Sequence, residues 1–108
     1  MEYSPVILAE VKPEVDSYFR SQGAVTAGLK LKAIAQAFRI GGWLLEQILK
    51  PLSARAASIV RSFSKKIADF LDTVSEVSEA ILASGFRSMG MPSDVASALA
   101  KVIVGLVL

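Results

Sequence analysis

The chain has 108 residues, 53% of them hydrophobic, a net charge of +2 and a mean hydropathy of +0.51. That length allows one domain with one modest core, and that charge singles out no class of partner. It contains no Cys, His or Asn, which excludes a disulfide framework, a thiolate nucleophile and the usual zinc and haem ligands. The lack of Asn and Cys also fits a protein that works hot, in a thermophile.

The start, Met1-Glu2-Tyr3, is acidic where a signal peptide is basic. The longest charge-free run, Ser21 to Leu29, has nine residues. A spanning helix needs about 18 or more. The expectation is synthesis in the cytoplasm, with an assembled particle, virion or filament as the destination.

Ser4-Pro5 is a helix start, with Ser as cap and Pro at the first helical position. Val6 to Val11 reads as a short helix or an extended arm. Pro13 interrupts it and opens a second helix, Glu14 to Gln22, stopped by Gly23. Residues 24–50 form the first long helix, with the heptad seam Ala27, Leu31, Ile34, Phe38, Gly41, Leu45 and Ile48. Leu29, Ala33, Ile40 and Leu44 widen its apolar side, so this helix wants cover on more than one side. Gly41-Gly42 in its middle reads either as a kink or early end, or as the close approach of a second backbone. Lys50-Pro51 breaks the ladder, making a helical hairpin, with a kinked continuous rod as the rival.

Residues 54–84 carry the longest pattern: Ala56, Val60, Phe63, Ile67, Phe70, Val74, Val77 and Ile81, in steps that alternate four and three. Bases fill the first half of this helix and acids the second, against the macrodipole. A neighbouring helix that sets basic half against acidic half would account for that order. Gly85 and Gly90 bracket a turn. Residues 92–108 form a last helix, apolar to its end at Val102-Ile103-Val104-Gly105-Leu106-Val107-Leu108. The predicted fold is all-α: one domain built on an antiparallel hairpin of two long helices, with short terminal helices. Its greasy end docks on the core, on a neighbour or on a bilayer surface.

Catalytic chemistry is poorly provided for, and no enzyme is expected. With no His, Ser62 and Lys66 at helical spacing are the nearest thing to a nucleophile and base. Asp69, Asp72 and Glu76 share a helix face that reads as solvated rather than metal-binding. No cofactor is implied. The run Gly90-Met91-Pro92-Ser93-Asp94-Val95-Ala96-Ser97-Ala98 resembles a segment near the C-terminus of short-chain dehydrogenases. That family's dinucleotide fingerprint and Tyr–Lys pair are absent, and helix capping accounts for the run.

Two features point to partners. Between Lys30 and Lys66 lie eight bases (Lys30, Lys32, Arg39, Lys50, Arg55, Arg61, Lys65, Lys66) and one acid, Glu46, giving +7 within a chain of +2. Such a block suits the phosphates of DNA without sequence preference, or anionic lipid headgroups. Trp43 sits in the polar strip of its helix, where an interface would explain it. With Gly41, Val102, Ile103, Leu106 and Leu108 it marks the expected self-association surface. The leading reading is a self-assembling structural subunit that forms a homo-oligomer or filament and contacts DNA through the basic block. In size and character the chain resembles the helical coat, or capsid, proteins of rod-shaped and filamentous viruses. A membrane-active helical protein is the alternative, and a helical bundle that binds a partner protein is the third reading.

Overall fold

A computed structural model describes residues 1–108. The fold is all-α, with seven helices: α1 (Pro5–Ser21), α2 (Ala27–Ile40), α3 (Trp43–Leu49), α4 (Ala54–Ser62), α5 (Ser64–Thr73), α6 (Glu79–Ser88) and α7 (Ser93–Val107). The one extended contact is an isolated antiparallel bridge between Tyr3 and Leu52.

α1 begins as its cap signal dictates: the Ser4 hydroxyl accepts from the Ile7 amide at 3.2 Å. It then runs through Pro13 without stopping. Proline leaves the carbonyl four residues back, at Ala9, without its helical donor. Ala9 and Pro13 are both exposed, so water reaches that carbonyl. The buried residues Val11, Val15 and Phe19 lie on the other side.

The helix expected over 24–50 is two helices. Gly41 and Gly42 have φ of 75° and 103°, a region other residues enter only with strain. They end α2 and turn the chain into α3. Of the two readings of the pair, the early helix end is the one observed. A Cβ at either glycine would meet nothing within 4 Å, so no other backbone of this chain lies against them.

The helix expected over 54–84 is three. Phe63, at φ −106° and ψ 9°, separates α4 from α5. Hydroxyls flank the break: Ser62 donates to the Ile59 carbonyl at 2.6 Å and Ser64 to the Arg61 carbonyl at 2.9 Å. Such local bonds compete with the helical ladder. The segment 74–78 is Val-Ser-Glu-Val-Ser, whose valines disfavour a helix and whose serines favour caps, and it leaves the helix until Ser78 caps α6. The seam survives the breaks in part. Ala56, Val60 and Ile67 are buried, Phe63, Phe70, Val74 and Val77 are half-buried, and Ile81 is exposed.

The most extensive helix pair is α2 on α5, while α7 packs on α6, α1, α4 and α2. One core of 32 buried residues runs through the molecule, and α7 supplies nine of them. The radius of gyration is 12.3 Å, against about 13 Å for a compact chain of this length. The accessible surface is 5356 Å², slightly below the ~5,800 Å² usual at this mass. The apolar surplus is therefore stored inside the subunit. α7 buries most of its circumference and keeps only a narrow polar strip, Asp94, Ser97 and Lys101, toward water. Of the three places the sequence allows the greasy end, the core of its own subunit is the one it occupies.

No helix is long and apolar enough to cross a membrane.

Candidate functional site

The expected basic block is dispersed and largely engaged within the chain. Arg39, at the end of α2, reaches α5 and bonds Asp69 at 2.9 Å and Asp72 at 2.6 Å. The hydrogen bond to Asp69, with that to Asp72 next, raises its already high pKa further. Arg55 on α4 bonds Asp94 at 2.8 Å and Glu2 at 3.2 Å, tying α7 and the N-terminal segment to α4. The hydrogen bond from Arg55 holds the Asp94 carboxyl below its ordinary range. Arg61 pairs with Glu46 of α3 at 2.9 Å.

Lys30 lies 5.7 Å from the centre of the Phe19 ring and donates to the Val107 carbonyl at 3.2 Å. It thereby serves the open C-terminal end of α7. Lys66 stands over the Phe63 ring at 5.7 Å. Lys32, Lys50, Lys65 and Lys66 are exposed and have no carboxylate within 4.0 Å. The block is thus not one stripe. Its arginines bind the fold together, and its lysines are spread over several elements. The acids Asp69 and Asp72, which the sequence groups with Glu76, are held by Arg39.

The expected self-association residues divide in the same way. Val102, Ile103 and Leu106 have no exposed surface and belong to the subunit's own core, so they cannot form a contact with a second molecule. Leu108 is 72% exposed. Gly41 ends α2. Trp43 is 44% exposed and lies against Tyr18, ring centres 5.4 Å apart and tilted by 38°. It therefore has an intramolecular partner on one side and a free surface on the other.

Around Trp43 the structure assembles a face that the spacing of 24–50 only partly indicates. On α2, Leu29, Ala33, Gln36 and Ile40 follow at steps of four, three and four, which puts them on one side of the helix. Leu29 is 44% exposed and Ile40 79%. With Tyr18 and Gln22 from the end of α1, and with Lys32, they line a shallow groove of about 400 Å³. Val25 is exposed just before α2, and Trp43 just after it. The inner side of the same helix buries Leu31, Ile34, Ala35, Ala37 and Phe38. The sequence shows α2 to be apolar on most of its circumference. Which side the chain covers itself depends on where α5, α1 and α7 pack, and periodicity carries no such information.

Nothing in the groove is arranged for chemistry. Its polar members are Tyr18, Gln22, Lys32 and Gln36, with no carboxylate or hydroxyl pair to move a proton. What the face offers is apolar surface with a charged edge, which suits binding.

A small helical bundle with one open helix face is the class of molecule so defined. The sequence family described as uncharacterised protein YqxI matches residues 21–108, and the chain belongs to that family. α2 through α7 fall within the matched residues, and α1 before Ser21 falls outside them. No curated protein and no solved structure matches the chain.

Proposed function

We propose that this chain works by association rather than catalysis, as a structural subunit that binds copies of itself through the outer face of α2. The observation that supports this reading is the exposed pair Leu29 and Ile40 on the outer side of α2, beside the groove that Tyr18 lines, with the exposed Trp43 packed on Tyr18. Large apolar side chains exposed singly are ordinary. Two such side chains on one side of a helix, beside a groove with a polar edge, have the composition of an interface. Burying such a face yields about 25 cal/mol per Å² of apolar area.

The test is sedimentation across a range of protein concentrations. Wild-type protein is expected to shift from monomer to a larger species as concentration rises, and Ile40→Lys is expected to remain monomeric. A single monomeric species at every concentration would remove this reading. Extension to a small helical coat or filament protein needs a second, heterologous contact, because a two-fold contact alone closes on itself. Electron microscopy of concentrated protein separates closed oligomers from filaments.

One observation favours nucleic acid as an additional partner. Outside the ion pairs, the cations Arg20, Lys30, Lys32, Lys50, Lys65, Lys66 and Arg87 remain, against the acids Glu10, Glu14 and Glu76. Binding through them would be insensitive to sequence and would weaken steeply with salt. Lys65→Ala with Lys66→Ala should weaken DNA of every sequence alike. No binding at low salt would dismiss it.

A further inference from the structure

No further inference is drawn: the strongest candidate, the shallow groove on the outer side of α2 between Leu29 and Ile40, belongs to the site already described, and nothing in the structure shows what covers it.

Discussion

α7 and the outer face of α2 are both rich in apolar residues, and in the sequence both ask for cover. The subunit covers one and leaves the other open. α7 is threaded among α6, α1, α4 and α2, and Val102, Ile103 and Leu106 keep no exposed surface. α2 buries one side on α5 and keeps Leu29 and Ile40 in the open. The difference lies in the share of the circumference that neighbours occupy, and it separates residues that hold the fold from residues that meet a partner. The two regions should accordingly respond in opposite ways to substitution.

The largest effect is expected at α7. Deleting Val102 to Leu108 removes core residues that touch several helices, so the truncated chain should lose cooperative unfolding in circular dichroism. A truncated chain that keeps its helicity and melts cooperatively would place the tail outside the core. Next is Phe86→Ala. Phe86 is fully buried, and its ring meets Phe70 edge to face at 5.6 Å. A loss of about 3–5 kcal/mol in denaturant unfolding is expected. By contrast, Ile40→Lys should change monomer stability by less than about 0.5 kcal/mol, as exposed substitutions usually do.

A cost smaller than that of Phe86→Ala, but larger than that of Ile40→Lys, is expected at Gly85, where a Cβ would collide with the Phe70 ring. Gly85→Ala should destabilise by about 1–3 kcal/mol through overpacking, and Gly85→Ala with Phe70→Leu should recover part of it. No recovery would mean that the ring is not the obstacle.

The smallest effect concerns Asp94. Its folded pKa is lowered, chiefly by the hydrogen bond from Arg55 and also by the Val95 amide. A depressed carboxyl pKa contributes stability above the unfolded value, near 3.9, and that contribution fades as pH falls through the folded value. Thermal melts between pH 5 and about pH 3 should show a slightly shallower acid decline in Arg55→Met than in wild type. Equal slopes would mean that the pair adds nothing, as many exposed pairs do.

Much of this was legible in the residues. Ser4-Pro5 and the start of the last helix at Pro92 are kept by the structure, and the all-helical class follows from the 3.6-residue spacing throughout. The breaks at Phe63 and at 74–78 were not legible. A heptad pattern records which residues face the core, and it persists across a short interruption when both segments lie on the same core. Ala56, Val60 and Ile67 remain buried on two separate helices for that reason. The role of Gly41-Gly42 was open between a break and a close contact, and only the backbone angles decide it. The open face was half legible. Trp43 stood out by its position, while Leu29 and Ile40 looked like further core until the covering helices were placed.

Hydroxyl-radical footprinting of side chains, in dilute and in concentrated protein, sets the two regions against each other in one experiment. Leu29, Ile40 and Trp43 should be labelled in dilute protein and protected on concentration, while Leu99 and Ile103 should stay unlabelled in both. Equal labelling of Leu29 and Ile40 at every concentration would contradict the assignment of α2 as the face that meets a second copy.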